Sequence, residues 1–252
     1  PLQRKKLLNL NRSKQGDFLK KFLIITGGSS GIGFATAKLF QENNYSIINL
    51  SRSKIDLDNA IHIDIDLSTP NWQESLESNF KDLLSSSDQI CLIHNASKMQ
   101  SDTVESFNDN NLREVIEVNL VGPSILNKIT IPFMKKGSSI LYVGSTLSEK
   151  AVPHMSSYVM TKHGMIGLMR STCQDLFGRF IHTACICPGA TETEMLVEYV
   201  QGNQEALKIM ASTLSENRLI TSEEIAKTLF FCANNSVVNG SVIHANLGIQ
   251  ET

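Results

Sequence analysis

A short apolar run, Phe22-Leu23-Ile24-Ile25, feeds directly into Thr26-Gly27-Gly28-Ser29-Ser30-Gly31-Ile32-Gly33, and an amphipathic stretch follows as far as Asn43. That order predicts a buried strand, a glycine-rich turn and a helix start. Gly27 suits the positive φ that a tight strand-to-helix turn demands. Gly31 lets a pyrophosphate approach the backbone, and Gly33 lets the helix pack closely on the strand. The helix N-terminus adds unpaired N–H groups and the positive end of its dipole, so the whole segment makes a site for phosphates. Its spacing, Gly-x-x-x-Gly-x-Gly, is distinct from the commoner Gly-x-Gly-x-x-Gly fingerprint.

The rest of the chain repeats the alternation of β-rich runs and helical patterns. Strands are predicted at Phe22 to Thr26, Ser46 to Leu50, Ile61 to Ile65, Gln89 to His94, Ser139 to Gly144, Phe180 to Ile186 and Ser241 to Asn246. Such alternation argues for an α/β fold, a doubly wound, Rossmann-like parallel sheet of about seven strands with helices on both faces. A helix is expected from Asn111 to Met134, kinked at Gly122-Pro123. With 252 residues, 41% hydrophobic and 19% charged, the chain suits one large domain over residues 21–252. In such a sheet a ligand lies beyond the carboxyl ends of the strands, where the strand order reverses.

Tyr158 and Lys162 stand four residues apart in a segment, Ser157 to Phe177, that reads as one helix, so their side chains share a face. A phenol ordinarily ionises at about pH 10 and works as a proton-transfer group near neutrality only if its anion is stabilised. A neighbouring ammonium does that. Ser145 directly follows the fifth strand, thirteen residues before Tyr158, and a hairpin-like excursion can bring its hydroxyl beside the phenol.

With the glycine turn, Asn119, Ser145, Tyr158 and Lys162 in this order, the chain closely resembles the short-chain dehydrogenase/reductase family. The resemblance runs from about Phe22 to Gly248 and includes Asp66-Leu67, His94-Asn95-Ala96-Ser97 and Pro188-Gly189 after the third, fourth and sixth strands. It implies an oxidoreductase that transfers a hydride between nicotinamide and a carbonyl or alcohol. Tyr158 would be the general acid/base and Ser145 the group that positions and polarises the carbonyl. Lys162 would bind the nicotinamide ribose and tune Tyr158, and Asn119 would hold a water linking Lys162 to solvent. For the cofactor the resemblance implies Gly27, Ser29, Ser30, Gly31, Ile32 and Gly33 at the phosphates, with Asp66 and Leu67 at the adenine. Asn95 and Ala96, Tyr158 and Lys162 themselves, and Pro188, Gly189, Thr191 and Thr193 would complete the site.

The choice of dinucleotide turns on the end of the second strand, Asn49-Leu50-Ser51-Arg52-Ser53-Lys54. An enzyme that prefers the cofactor lacking a 2′-phosphate normally has Asp where Ser51 stands, whereas Arg52 can pair with that phosphate and stack on adenine. NADP(H) is therefore favoured, with NAD(H) possible. Two positions depart from the family pattern. Ser97 places a Cβ where Gly is usual, and Asn246-Leu247-Gly248 stands for the usual acidic-Gly-Gly.

Seven basic residues, Arg4, Lys5, Lys6, Arg12, Lys14, Lys20 and Lys21, face Asp17 alone before the first strand, in a chain whose net charge is −2. Residues 1–20 are read as a basic, solvated extension docking on an acidic body, with neither nucleic acid nor membrane as partner. No apolar run reaches the roughly eighteen residues of a membrane span and no signal peptide is evident, so a cytoplasmic address is expected. Five cysteines, Cys91, Cys173, Cys185, Cys187 and Cys232, have no metal spacing and read as reduced, buried side chains, with no metal site. His154 can face either the substrate cleft or solvent. Apolar residues around the helices at Asn111 to Met134 and Ser157 to Phe177, namely Ile125, Leu126, Ile129 and Phe133 with Met165, Leu168, Met169 and Cys173, suggest a homodimer or homotetramer, with Gly164 and Gly167 allowing close helix approach. A 3-oxoacyl thioester reductase is the alternative within the enzyme class. A nucleotide-binding scaffold or sensor without turnover is the alternative outside it.

Overall fold

β1 (Lys21–Thr26), β2 (Tyr45–Ser51), β3 (Ile61–Asp64), β4 (Gln89–His94), β5 (Ser139–Val143), β6 (His182–Pro188) and β7 (Ser241–Ala245) pair in parallel in the order β3-β2-β1-β4-β5-β6-β7. The computed structural model describes residues 19–250, so nearly all of the basic extension lies outside the described residues. β1 pairs with β2 on one side and β4 on the other, and the strand order reverses there. β1, β4, β5 and β6 are central and almost wholly buried because both their faces are covered.

Helices α1 (Gly31–Glu42) and α8 (Ser222–Asn234) cover one face, where Phe40, Ile225 and Leu229 meet Leu23, Ile25 and Ile93. On the other face, α2 (Glu74–Leu84), α4 (Gly122–Thr130) and α5 (Ser156–Asp175) bring Phe80, Leu126 and Met165 onto Ile24, Leu92 and Tyr142. Complete burial of a side chain such as Phe40 or Phe80 contributes roughly 1.5–3 kcal/mol. Three further helices are α3 (Asp109–Ile116), α6 (Glu194–Tyr199) and α7 (Gln204–Ser212).

The predicted elements recur with shifts that have local causes. The sixth strand starts two residues later than expected because Phe180 holds φ +57 and its carbonyl accepts from the Gly137 N–H, making a turn there. It runs on to Pro188, a position at the strand end where a missing donor is tolerated. The helix expected from Asn111 to Met134 is four pieces: α3, a π-helical stretch Glu117–Val121, α4 and a 3-10 turn Ile131–Phe133. The irregularity sits one turn before Gly122-Pro123, where the Gly122 N–H reaches back to the Glu117 carbonyl and Pro123 has no N–H to continue the ladder.

The apolar residues assigned to assembly divide. Leu126, Ile129, Met165 and Met169 are buried in the monomer core, whereas Ile125, Phe133, Leu168 and Cys173 remain partly exposed. A Cβ at Gly164 would meet Leu120 of the π-helical stretch at 3.0 Å, so that glycine serves packing within the chain, and only Gly167 faces open space. Cys91, Cys185, Cys187 and Cys232 are buried; Cys173 is half-buried beside Asn239.

Candidate active site

At the end of β1 the chain turns through Gly27 with φ +64 and enters α1 through Gly31 with φ +50, a backbone that L side chains rarely adopt. A Cβ at Gly33 would overlap the Gly27 carbonyl oxygen, so the first turn of α1 can press onto the loop only because residue 33 has no side chain. Thr26 and Asn95 fasten this loop to the end of β4. The Thr26 hydroxyl accepts from the backbone N–H groups of Asn95 (3.0 Å) and Ala96 (2.9 Å), while the Asn95 amide donates to the Thr26 and Gly27 carbonyls. The Asn95 side chain is thereby committed to the turn itself. Ser30 caps α1 by its extended backbone without a side-chain bond, and the first turn carries no acidic residue, which leaves donors and dipole for an anion. Ser29, Gly31 and Ile32 are half-buried around it and Ser30 is exposed.

Ser51 ends β2, Arg52 follows it, and Asp66 lies just beyond β3. Burial by itself raises Asp66, but hydrogen bonds from the Ser68 hydroxyl (2.7 Å) and N–H (2.9 Å), with the charges of Arg52 and Lys98, outweigh it and hold the carboxyl below its ordinary value. Arg52, exposed, is thus close enough to Asp66 for their charges to interact. The Leu67 side chain belongs to the core, packed toward Gly122, so only its backbone remains for a ligand.

The chemistry-bearing residues expected from sequence gather where β4, β5 and α5 meet. Lys162 is 2% exposed, donates to the Val143 carbonyl at 2.8 Å, and sets its ammonium 5.3 Å from the centre of the Tyr158 ring, which is itself 8% exposed. The Ser145 hydroxyl accepts from Leu147 N–H at 3.1 Å, and its own proton stays available to a ligand. A Cβ at Gly144 would crowd the sulfurs of Cys185 and Cys187 and the Ser148 hydroxyl, so the residue before Ser145 has to be small. Those sulfurs lie 3.9 Å apart; with Cys185 donating, the Cys187 thiol comes down to about 7 and that of Cys185 goes up.

Asn119 departs from its expected part. Both its amide hydrogens are spent, on the Lys98 carbonyl and the Thr161 hydroxyl (2.9 Å each), and its oxygen accepts from Lys98 N–H (2.8 Å) and the Ser97 hydroxyl (3.2 Å). The side chain therefore ties the loop after β4 to α5 and has no capacity left for a water. Its main-chain carbonyl finds no N–H four residues on, because residue 123 is proline. Ser97, the departure from Gly, takes part in this knot.

At the end of β6, Pro188 is buried and has no N–H, and the Gly189 N–H that follows is used by the Ala245 carbonyl, so neither donates to a ligand. Thr191 is buried and its hydroxyl donates to the Gly189 carbonyl, whereas Thr193 caps α6 and stands within 3.5 Å of where a Gly31 side chain would be. The Thr193 loop and the glycine turn thus face each other. His154 is exposed at φ +63, and His163 bonds the Val159 carbonyl from the outer side of α5.

Sequence reasoning passed over Thr26, Gly28, Asn49, Asp102 and Gly144. Asp102, buried in the loop after β4, accepts from the Ser157 N–H at 3.0 Å and so caps the helix that carries Tyr158. The one signal available was a polar residue inside an apolar run, which holds for Asn49 alone.

The sequence profile of the family described as enoyl-(acyl carrier protein) reductase matches residues 27–250, nearly the whole chain. The chain belongs to the short-chain dehydrogenase/reductase family. This dehydrogenase/reductase is 28% identical over 246 residues to an uncharacterised oxidoreductase of Thermotoga maritima, covering 92% of this chain and 98% of that one. It is 26% identical to a 3-oxoacyl-(acyl-carrier-protein) reductase of the same organism, over 91% and 97% of the two chains. A solved 4-hydroxyisoleucine dehydrogenase complexed with NADH superposes with a TM-score of 0.81 at 25% identity, over 92% of this chain and all of that one. The chain is an oxidoreductase of that family, and the cradle at Gly27 to Gly33, with its glycines and with no acid or side-chain cap at the helix start, fits a dinucleotide pyrophosphate.

Proposed function

We propose that this dehydrogenase/reductase interconverts a small carbonyl compound and its alcohol with NADP(H), with Tyr158 as the general acid/base. The observation that carries the reading is the placement of the buried Lys162 ammonium 5.3 Å from the Tyr158 ring centre, held there by the Val143 carbonyl two residues before Ser145. Bound nicotinamide supplies the hydride in reduction and takes it back in oxidation. Gly27, Ser29, Ser30, Gly31, Ile32 and Gly33 would hold the pyrophosphate, with Asp66 and the Leu67 backbone at the adenine, Thr193 on the opposite wall and Lys162 on the nicotinamide ribose. In the reductive direction the Ser145 hydroxyl donates to the substrate oxygen and Tyr158 gives that oxygen its proton as the C–H bond forms. Lys162 stabilises the negative charge left on the phenolic oxygen. The proton returns from solvent by way of Lys162, with the Asn119 main-chain carbonyl, rather than its side chain, as the acceptor able to hold an intervening water.

Ser51 in place of an acid, and Arg52 exposed at the bend after β2, support NADP(H) over NAD(H). A 3-oxoacyl thioester as substrate is the second reading, supported by the T. maritima relative. A nucleotide sensor without turnover is the weakest, since Ser145, Tyr158 and Lys162 are all present. A cytoplasmic homodimer or homotetramer is part of the proposal, and no helix among the described residues is long and apolar enough to cross a membrane. The deciding experiment follows oxidation of NADPH and NADH by the purified chain against aldehydes, ketones and 3-oxoacyl thioesters. Turnover of one class with NADPH is the expected result; binding of cofactor without turnover of any would leave the sensor reading standing instead.

A further inference from the structure

Asn49 is an amide where the strand's alternation calls for an apolar side chain. Tyr45 and Ile47 precede it on the same face of β2, both in the core, and Asn49 itself is fully buried. An amide so placed is costly unless its hydrogen-bonding groups are met. Here they are met in a particular direction. The Asn49 carbonyl oxygen accepts from the Gly28 N–H at 2.9 Å, and its amide nitrogen donates to the Ser51 hydroxyl at 2.8 Å and faces His62 Nδ1 at 3.2 Å. The Ser51 hydroxyl in turn donates to the Ser53 carbonyl at 2.6 Å, closing the bend that presents Arg52. An unbroken chain of hydrogen bonds therefore runs from the glycine turn at the end of β1, through Asn49, to the Arg52 bend at the end of β2. A Cβ at residue 28 would come 2.7 Å from the Asn49 oxygen, so Gly28 is reserved for this contact. Register supports the same junction, pairing Asn49 with Ile25 of β1 and His62 of β3.

We propose that Asn49 is a positioning residue that couples the phosphate-binding turn to the Arg52 bend, and through that coupling contributes to discrimination between 2′-phosphorylated and 2′-hydroxyl dinucleotides. The inference rests on the cofactor reading given above. The amide sets the height of the Gly28 peptide at the pyrophosphate end and the shape of residues 51–53 at the ribose end, so its loss loosens both. The Ser51 link serves only the second end. Loss of one well-made buried bond to a preorganised site should cost about tenfold in affinity, about 1.4 kcal/mol.

Calorimetric titration of the full chain with NADPH and with NADH, for wild type, Asn49→Val, Ser51→Ala, Arg52→Ala and Asn49→Val combined with Arg52→Ala, tests this. Asn49→Val should weaken both cofactors, NADPH by about tenfold more than NADH. Ser51→Ala, a mild change at a half-buried site, should weaken NADPH while sparing NADH. In the double variant the selective part of the Asn49→Val effect should vanish, because it acts through Arg52. A ratio of NADPH to NADH dissociation constants that stays within about twofold of wild type in both Asn49→Val and Ser51→Ala overturns the proposal, even if thermal stability falls. Should Asn49→Val not fold, Ser51→Ala alone decides by the same ratio. Wild-type protein that binds neither cofactor defeats the underlying cofactor reading, and this inference with it; wild-type binding with an unchanged ratio defeats only the inference.

Discussion

At the scale of single residues, Tyr158 and Lys162 separate two jobs that one helix turn holds together. Tyr158→Phe deletes the hydroxyl proposed as proton donor while leaving the glycine turn untouched, so turnover should fall roughly a hundred- to ten-thousand-fold with NADPH affinity near wild type. Activity within a few fold of wild type would sink the mechanism. Lys162→Ala removes a buried ammonium that donates to the Val143 carbonyl, faces the Tyr158 ring and is assigned to the ribose. It should therefore lower turnover and cofactor affinity together, and unchanged affinity by calorimetry would refute the double role. Arg52→Asp puts a second carboxylate near Asp66 and a like charge where a 2′-phosphate would sit, so preference should move from NADP(H) toward NAD(H), by about tenfold or more. Titration with both cofactors reads the change directly.

At the scale of elements, the end of β4 is bonded to the helices that cover it. Its last residue, His94, is fully buried, bonds the Asn127 amide oxygen of α4 through Nε2 at 2.8 Å, and lies against Tyr142 of β5, whose hydroxyl receives the Asn127 amide and bonds Thr172 of α5. Burial pushes the His94 imidazole down to about 4, against the Asn127 bond that opposes the shift. The unfolded chain takes up this proton near pH 6.5 and the folded chain only near 4, so the stability conferred by neutral His94 is whole above 6.5 and is lost as pH falls between those values, by roughly 3 kcal/mol. Urea unfolding of wild type and His94→Gln at several pH values in that window checks it. The substitution should flatten the profile, and parallel profiles would exclude His94 as the source.

At the scale of the whole molecule, the exposed apolar surface bears on assembly. An open apolar groove remains on the outer side of the π-helical stretch and α4, lined by Leu120, Val121, Ile125 and the stem of Lys128, and Gly167 of α5 faces free space. Half of the apolar residues first assigned to an interface are core, which leaves a narrower surface than the sequence suggested. The remaining side chains still flank the helices that bear Asn119, Tyr158 and Lys162. A self-complementary contact there would brace the active-site corner, and sedimentation at micromolar protein should show a dimer or tetramer. Sedimentation of the 27.9 kDa species alone would reject it.

Local chemistry determined much of this protein. The alternation of apolar runs and amphipathic stretches, with glycines at residues 27, 31 and 33, defines a parallel α/β sheet and its glycine turn, because φ, Cβ bulk and side-chain period act over a few residues. The four-residue spacing of Tyr158 and Lys162 is equally local, since helix geometry alone places them on one face. Tertiary structure decided everything that depends on which distant atoms come to share a hydrogen bond. Asn119 was expected to hold a water between Lys162 and solvent, but the fold commits its amide to the Lys98 carbonyl and the Thr161 hydroxyl. Asn49 was visible as a polar residue in an apolar strand, but its meaning waited on the pairing of β1, β2 and β3, which alone brings Gly28, Ser51 and His62 to it. A buried polar group must find partners wherever the fold supplies them, and sequence spacing carries no record of partners many residues away.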